Sequence, residues 1–451
     1  MRRVNVADRV AAGLVAVFGL VSALLCLLPA CIDIQPEARV CKSELTVTSV
    51  TRPLTYHGDV EPIVAAKCMR CHEPSGPAPF SLLTYEDVAS MKMQVRTAVE
   101  SRIMPPWPPA TCCSTYKRPL SLTDAEVGTI LAWVDQGAPR GEPPPTPPQV
   151  GRRGLDRVDT VIEMPYTYLP GPPRGETDET RCFILDWPGT EPAYVTGLDI
   201  QPGEGAQVHH SLVLTASKED VEHLRERDDE SPGPGFPCPG GIVSHFKGVL
   251  GGGFFQAQTF DDGIGHELLP GEKIILQMHY SVPARGAFMP DKTKILLRHQ
   301  REPTKRLVYL SLFNPAWLLG GMRVPANERD VTYSYVDDPV LYNGNRPFHL
   351  RSVSLHMHER GARGQIAIVR ANGDRECLLQ IDRWNHAWQG DFTFEQPKRL
   401  EPGDRLLVSC TFDNTAGHQR LRGGIPETPR DLSWAENEEM CVGFVTATQV
   451  E

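Results

Sequence analysis

Residues 348–358 read FHLRSVSLHMH, a short run in which apolar and polar side chains largely alternate. Such a run predicts a β-strand, and similar runs separated by Gly, Pro and Asp follow one another from about residue 160. Many short strands with turn residues between them are typical of all-β sandwiches. The region spans nearly 300 residues, which is long for one sandwich, so we predict two, at 160–300 and 301–451.

The same run carries two candidate metal ligands. Side chains at i and i+2 project from one face of a strand, so His356 and His358 can converge on one ion. Met440, in NEEMCVGF, is the candidate third ligand because it lies in an acidic turn just before a strand, an unusual place for a core methionine. The alternative interpretation of the two histidines is a polar pair on the surface.

A second candidate set lies in the preceding sandwich: His209 and His210 in QVHHSLV, and His279 in ILQMHYSVP. Adjacent residues of a regular strand face opposite ways, so His209 and His210 can reach one metal only at a strand end or a bulge. Together the two sets contain five imidazoles and one thioether. These ligands suit copper cycling between Cu(I) and Cu(II) better than Mg, Ca or Mn, which prefer oxygen.

Residues 53–141 predict a small all-α domain before the sandwiches. Helices are expected over about 85–101 and 124–136, and the second begins with a capping box formed by Thr123 and Glu126. The stretch GEPPPTPPQVGRRG opens the segment 142–159, which predicts an extended, semi-rigid linker because it is rich in proline. The chain is therefore predicted to be multidomain.

The sequence CMRCH, Cys68 to His72, is the attachment signature of a c-type haem. Cys68 and Cys71 can add to the haem vinyl groups, and His72 is placed as the proximal iron ligand. Met104 in IMPPWPP is predicted as the distal ligand, with Met91 and Met93 as rivals. A CxxC redox pair and half of a zinc site are the alternatives, but the chain has no second CxxC motif and the helical flanks favour a cytochrome c domain.

The N-terminus predicts export. Arg2, Arg3 and Arg9 precede a mostly apolar run, and the run ends in Leu-Pro-Ala-Cys at Cys31. Residues 1–31 therefore resemble a bacterial lipoprotein signal, with a plain signal peptide or an uncleaved anchor as alternatives, and any membrane contact is expected only through such a lipid or anchor. Each reading places the mature protein outside the cytoplasm, in the periplasm, at the outer membrane or on the cell surface.

The amino-acid composition limits the classes of partner and the compartment that we expect for this protein. A net charge of −10 without a cluster of Lys and Arg argues against nucleic acid. Of twelve cysteines, eight remain outside the signal, Cys31 and the haem motif. That even number permits four disulfides in an oxidising compartment, but the sequence does not fix their pairing.

The stretch from about 180 to 445 resembles the catalytic core of the copper type II monooxygenases, the peptidylglycine-hydroxylating and dopamine β-monooxygenase family. VHH and LQMHY match the electron-transfer copper of the family, whereas HMH and EMC match its oxygen-binding copper. The resemblance implies two jelly-roll-like sandwiches with one copper each, separated by a solvent-filled cleft. It also implies a disulfide between Cys410 and Cys441, and a catalytic role for His356, His358 and Met440.

The function implied by the resemblance is hydroxylation of an activated C–H bond with O2. The family usually takes electrons from ascorbate, but the haem domain suggests another donor, which the linker would keep near the all-histidine copper without needing a permanent interface. The expected substrate is a small molecule or a peptide. A non-catalytic copper-binding electron carrier is the main alternative, and a carbohydrate- or peptide-binding module is a weaker one.

The sequence departs from peptide-hydroxylating members at two positions. Ser354 stands where they have a carboxylate-binding arginine, and Phe444 replaces a tyrosine, so a glycine-extended peptide substrate is in doubt. Two further groups are interpreted as packing or surface residues. The first comprises Trp384, Trp388 and Phe392, for which a substrate wall is the alternative. The second comprises the remaining histidines, among them His266 and His386.

Overall fold

We describe a computed structural model of the chain over residues 41, 46–74, 76, 78–146, 154–173, 178–238, 246–253, 257–261, 263–281, 287–302, 305–422, 425–435 and 438–450. The predicted signal at 1–31 and residues 147–153 of the linker region lie outside these described residues. Within them, none of the helices is long and apolar enough to cross a membrane.

The N-terminal region, residues 46–146, is helical. A π turn over Tyr56–Val60 leads into the first of four α-helices: α1 (Glu61–Lys67), α2 (Tyr85–Ser90), α3 (Lys92–Glu100) and α4 (Asp124–Asp135). The predicted capping box of Thr123 and Glu126 is confirmed at the start of α4. The helix predicted over 85–101 is divided, because Met91 leaves the helical region with φ −104° and ψ 13°.

Strands dominate the remainder of the chain, as the sequence predicts. From Thr160 to Gln300 they are β1 (Thr160–Glu163), β2 (Asp178–Asp186), β3 (Ala193–Gln201), β4 (Val208–Ala216), β5 (Phe236–Pro237), β6 (Gly248–Gly253), β7 (Gln258–Thr259), β8 (Ile264–Leu268), β9 (Lys273–Ser281) and β10 (Lys294–Gln300). From Lys305 onward they are β11 (Lys305–Leu312), β12 (Arg323–Val324), β13 (Arg329–Asp337), β14 (Phe348–His356), β15 (Gly361–Val369), β16 (Arg375–Ile381), β17 (Phe392–Leu400), β18 (Arg405–Asp413), β19 (Leu421–Arg422), β20 (Ile425–Pro426), β21 (Leu432–Ser433) and β22 (Val442–Gln449).

Helices are few among these strands. The longest is α5 (Lys218–Glu230), which the sequence patterns did not reveal, and a single turn, α6 (Pro339–Tyr342), follows later. Ser217 caps α5, and Val221 and Leu224 are its buried side chains. Short 3-10 turns cover Gly205–Gln207, Pro315–Leu319, His386–Trp388 and Ala416–His418.

The strands form two layered halves that share one sheet. The N-terminal half contains a five-stranded sheet with the strand order β5-β2-β9-β4-β6. The C-terminal half contains a four-stranded sheet with the order β13-β18-β15-β16. A nine-stranded sheet runs through both halves in the order β1-β10-β3-β8-β11-β22-β14-β17, with β7 paired to β3. The parallel pairing of β8 with β11 joins the two halves, so their backbones are hydrogen-bonded to each other.

Each region has its own apolar core. Residues such as Trp133 and Tyr56 fill the helical region, Leu276 and Tyr280 belong to the N-terminal sandwich, and Phe412 belongs to the C-terminal sandwich. Burial of these side chains supplies most of the favourable free energy of folding. The two largest core clusters of the described β region lie one in each half, and the division at residues 300 and 301 stays a prediction.

All eight cysteines left over from the sequence argument are paired, in the bonds Cys41–Cys112, Cys113–Cys377, Cys182–Cys238 and Cys410–Cys441. The pair implied by the family resemblance, Cys410–Cys441, is thus confirmed. Four disulfides are compatible with a secreted or extracellular protein.

The helical region is fixed to the C-terminal sandwich. Besides the Cys113–Cys377 disulfide, Pro109 forms a β-bridge with Ile381 and Tyr116 forms one with Phe394. The Tyr116 hydroxyl donates to the carbonyl oxygen of Leu378 at 2.6 Å. The disulfide and the bridges attach the segment from Pro109 to Tyr116, which lies between α3 and α4, to β16 and β17. The helical region thus has an interface with the C-terminal sandwich that the linker argument did not require.

Candidate metal centres

The first ligand set lies in the five-stranded sheet, where β4 pairs with β9. His210 is opposite His279, and the register of the pairing shifts between Val208 and His210. This irregularity lies where the sequence required one, since a bulge lets two adjacent side chains turn toward the same side. The structure therefore brings together His209, His210 and His279.

The three imidazoles converge through their Nδ1 atoms. The Nδ1 atom of His210 lies 3.4 Å from that of His209 and 3.3 Å from that of His279. The candidate ligand atoms of the three residues all lie within 4.8 Å of one another. Neutral imidazole has one donor and one acceptor nitrogen, so three Nδ1 atoms cannot all satisfy each other by hydrogen bonds, whereas a shared metal ion would satisfy all three.

Their surroundings favour metal binding as well. Burial lowers the pKa of His209 to about 4 and holds the pKa of His210 well below its ordinary value, so both are neutral near pH 7 and can donate a lone pair. Nε2 of His279 lies 3.1 Å from a carboxylate oxygen of Asp178. A carboxylate on the outer nitrogen orients a ligand histidine and increases its basicity.

The second set begins at the end of β14. The ring centroids of His356 and His358 are 5.0 Å apart. Nδ1 of His356 lies 2.6 Å from the amide oxygen of Gln389, and Nδ1 of His358 lies 3.1 Å from the carbonyl oxygen of Glu438. These contacts leave the Nε2 atoms to face a metal. The buried Nε2 of His356 has no hydrogen-bond partner among the described residues, which is costly unless an ion satisfies it.

Met440 lies in a turn that is fastened to the histidine strand. Its neighbour Glu439 is fully buried, and its carboxylate accepts hydrogen bonds from the backbone N–H of His358 at 3.0 Å and of Arg360 at 2.6 Å. Burial raises the pKa of Glu439 to about 8 against the opposing effect of these bonds. The disulfide from Cys441 to Cys410 fixes the other side of Met440, and Met440 itself is only 7% exposed.

A cavity of about 110 Å³ connects the two sets. His210 of the first set and His356 of the second both line it, so the two halves of the β region face one another across it. Its wall also includes Ser354 and Phe444, the positions where the sequence departs from peptide-hydroxylating members. The ring of Phe444 stacks on Tyr309 with centroids 5.2 Å apart.

A carboxylate and an imidazole that line this cavity belong to neither ligand set. Asp391 lines the cavity and accepts a hydrogen bond from the Ser352 hydroxyl at 2.8 Å. Desolvation of the carboxylate raises its pKa to about 7 against the opposing effect of this bond. His266 is buried beside Phe260, and burial lowers its pKa to about 3.

His266 gives a pH prediction for the copper-free protein. The folded state binds fewer protons than the unfolded state between pH 6.5 and about 3, so stability should fall as the pH drops through this window. His266→Gln should reduce the pH dependence of the unfolding free energy by about one proton, or about 1.4 kcal/mol per pH unit. Urea unfolding at several pH values measures this slope. The exposed His223→Gln on α5 is the control, and an unchanged slope in His266→Gln would contradict the prediction.

The segment Arg383–Gln389, which follows β16, contains two residues whose position the sequence patterns did not predict. The ring of His386 lies between the two ligand sets, with centroids 6.2 Å from His279 and 6.1 Å from His358. The ring of Trp388 lies 5.1 Å from His209. Neither ring belongs to the apolar core cluster of the second sandwich, and interpreting these residues as packing or surface residues did not predict a position beside the ligand sets. Trp384 and Phe392 do pack in that core, as predicted.

The haem-attachment motif lies just after α1. Cys68 and Cys71 are the free cysteines of the described residues, which leaves both thiols available for thioether bonds. His72 is buried, and its Nδ1 atom lies 3.0 Å from the carbonyl oxygen of Phe80. That contact leaves Nε2 for iron, so the three residues fit a c-type haem.

Met104, the predicted distal ligand, lines a second cavity, of about 340 Å³, between the helical region and the C-terminal sandwich. Trp384 and Trp388 of the C-terminal sandwich region also line this cavity. The rivals differ in setting, because Met91 ends α2 and Met93 is 57% exposed on α3. The choice among the three methionines stays a prediction.

Comparison with known proteins bears on these centres. Residues 327–447 match the family model of the copper type II ascorbate-dependent monooxygenase, C-terminal domain. This finding supports that family for the chain. The match contains His356, His358 and Met440.

A curated relative extends the similarity beyond this domain. The chain is 23% identical to DBH-like monooxygenase protein 1 of Gallus gallus over 265 residues, which are 54% of this chain and 40% of that protein. The chain thus matches less than half the length of this relative. The matched family model and this relative are both named as monooxygenases.

Solved structures give only weak likenesses. The major capsid protein P2 of bacteriophage PM2 covers 65% of this chain and 98% of its own at 8% identity, with a TM-score of 0.22. The VP2 subviral particle of infectious bursal disease virus covers 65% and 81% at 10% identity, with a TM-score of 0.15. Scores this low support no inference about fold or function.

Proposed function

We propose that the protein is an exported, two-copper monooxygenase that hydroxylates an activated C–H bond of its substrate with O2. The supporting observation is that one cavity is lined by histidines of both ligand sets, His210 on one side and His356 on the other. Ligands at facing walls of one cavity would hold two redox metals next to a single substrate, which a one-site carrier does not need.

The two ligand sets would have different functions. Copper, when bound, supplies one-electron redox chemistry and a site for O2. His209, His210 and His279 would hold the electron-transfer ion, and Asp178 orients His279. His356, His358 and Met440 would hold the oxygen-binding ion, where the soft thioether favours Cu(I). The overall reaction combines substrate, O2, two electrons and two protons into an alcohol and water.

The cavity indicates the kind of substrate. Tyr309 and Phe444 give it an aromatic wall, and Ser352 and Asp391 place polar groups at its edge. With Ser354 in the wall, none of the described residues that line the cavity is an arginine that could bind a peptide carboxylate. We therefore propose a small, partly apolar substrate in place of a glycine-extended peptide.

Two further features belong to this proposal. Residues 53–141 would form a cytochrome c domain that carries one covalent haem and supplies electrons, with ascorbate as the alternative donor. The N-terminal residues would direct export and lipid attachment at Cys31. A non-catalytic copper-binding electron carrier is the second candidate, and the haem motif is the observation that favours it.

Oxygen labelling separates the two candidates. Copper-loaded protein is reduced with ascorbate and incubated with ¹⁸O2 and a panel of small aromatic and aliphatic substrates. A monooxygenase consumes O2 in proportion to an alcohol that contains ¹⁸O. If copper is reduced and reoxidised without any labelled product across the panel, the electron-carrier function is supported.

Haem attachment is tested separately. The mature protein should give the pyridine haemochrome spectrum of a c-type haem, and Cys68→Ser with Cys71→Ser should lose the covalent haem. Met104→Ala should lose the weak red absorption band of sulfur-to-iron ligation, because the thioether would be gone. The matched controls are Met91→Ala and Met93→Ala. Persistence of the band in Met104→Ala, with its loss in a control, would assign the distal ligand to that control residue.

A further inference from the structure

The segment Arg383–Gln389, which we call the bridging loop, contacts the helical region and both candidate copper sites. At its start the guanidinium of Arg383 donates hydrogen bonds to the backbone carbonyls of Ser101 at 3.2 Å and Arg102 at 3.4 Å. Those residues lie three and two positions before Met104 in the sequence. The loop is thus anchored beside the predicted distal haem ligand.

Trp388 lies further along the bridging loop. Its side chain lines the cavity that Met104 also lines, and its ring centroid lies 5.1 Å from that of His209. Trp388 is half-buried and lies outside the apolar core cluster of the C-terminal sandwich. Packing in that core therefore does not account for its position, whereas a connection between the Met104 loop and the first ligand set does.

His386, in the same loop, lies close to both ligand sets. The His386 ring lies 6.2 Å from His279 and 6.1 Å from His358, measured between centroids. Gln389 supports this placement, because its amide N–H donates to the carbonyl oxygen of His386 at 3.0 Å and its amide oxygen contacts His356. The geometry therefore links one copper site to the other through a single ring.

We propose that the bridging loop is the electron path of this protein, with Trp388 connecting the haem region to the first copper site and His386 connecting that site to the second. The inference rests on the proposed function. In the step through Trp388, one electron leaves ferrous haem and reduces Cu(II) at His209, His210 and His279, giving ferric haem and Cu(I). Neither Trp388 nor His386 changes its own oxidation state, so both act as positioning residues that shorten the gap.

The test follows electrons without turnover. Full-length protein with reduced haem and oxidised copper is prepared without O2 or substrate, and haem oxidation is followed by stopped-flow absorbance. Trp388→Leu should slow this phase by about tenfold or more, which corresponds to about 1.4 kcal/mol in the barrier. Trp388→Phe, which retains an aromatic ring, should recover most of the rate.

His386 is tested on the second step. His386→Leu should leave haem oxidation at the wild-type rate and slow the redistribution of the electron between the two copper signals, followed by rapid-freeze EPR. The Cu(II) EPR spectrum of each variant shows whether the ligand sets are intact. Unaltered copper spectra together with the two separate rate effects support the path.

Other outcomes overturn it. An unchanged haem oxidation rate in Trp388→Leu places the electron path elsewhere. A slow rate in both Trp388→Leu and Trp388→Phe, with an altered copper spectrum, means that Trp388 only maintains the ligand set. Failure of the proposed function would look different, since wild-type protein would then form no ¹⁸O-labelled alcohol with ascorbate, whatever the loop variants do.

Discussion

Met440→Ala should abolish substrate hydroxylation while the copper at His209, His210 and His279 remains bound and reducible. The reason is that the thioether is the only soft ligand proposed for the second site, and it favours Cu(I) there. Turnover should fall by at least about 100-fold, the upper range for disturbing groups around a metal site. Initial rates of labelled alcohol formation, together with copper content by mass spectrometry, measure both parts of this prediction.

A size-matched control separates chemistry from packing. Met440→Leu fills nearly the same volume without sulfur, so it should lose activity as Met440→Ala does but keep more of the thermal stability. Met289→Ala removes an exposed methionine and should leave both properties unchanged. Wild-type rates in Met440→Leu would remove Met440 from the set of copper ligands.

Loss of the Cys410–Cys441 disulfide should reduce both stability and copper content. The bond links β18 in the four-stranded sheet to the residue that follows Met440, just before β22 in the nine-stranded sheet. Both cysteines are fully buried. Removing a native disulfide commonly costs about 2–5 kcal/mol, so the double variant Cys410→Ser/Cys441→Ser should unfold at lower urea and bind about one copper in place of two.

The N-terminal sandwich offers a matched comparison. Cys182→Ser/Cys238→Ser removes a disulfide that lies outside the second ligand set, so it should lower stability without emptying the site at His356 and His358. Equal copper loss in both double variants would show that the effect is general destabilisation. Retention of both coppers in Cys410→Ser/Cys441→Ser would show that Glu439 alone holds the Met440 turn.

Local patterns in the sequence predicted much of this architecture. The alternation around His356, the capping box at Thr123 and the need for a bulge at His210 depend on neighbours in the chain, so they could be recognised without coordinates. The helix α5 was missed although Ser217 caps it, because the strand patterns on either side dominated the interpretation. The division of the predicted helix at Met91 has no signal that we can identify.

The features that could not be predicted depend on contacts between distant segments. Glu439 has no recognisable role until its carboxylate meets the backbone of His358 and Arg360. His386 and Trp388 gain significance only because the turn after β16 is placed against the other half of the β region. The concentration of Trp and His in RWNHAWQ was the one available hint.

The Cys113–Cys377 bond changes how the length of the proline-rich segment should be understood. It closes a covalent ring, with a sequence separation of 264 residues, that contains this segment and the entire N-terminal sandwich. The disulfide therefore holds the helical region against the C-terminal sandwich, and this placement does not depend on the length of the proline-rich segment. Insertions or deletions between residues 142 and 159 would change the length of chain in the ring. The distance between Met104 and Trp388 would stay set by the disulfide and its flanking β-bridges.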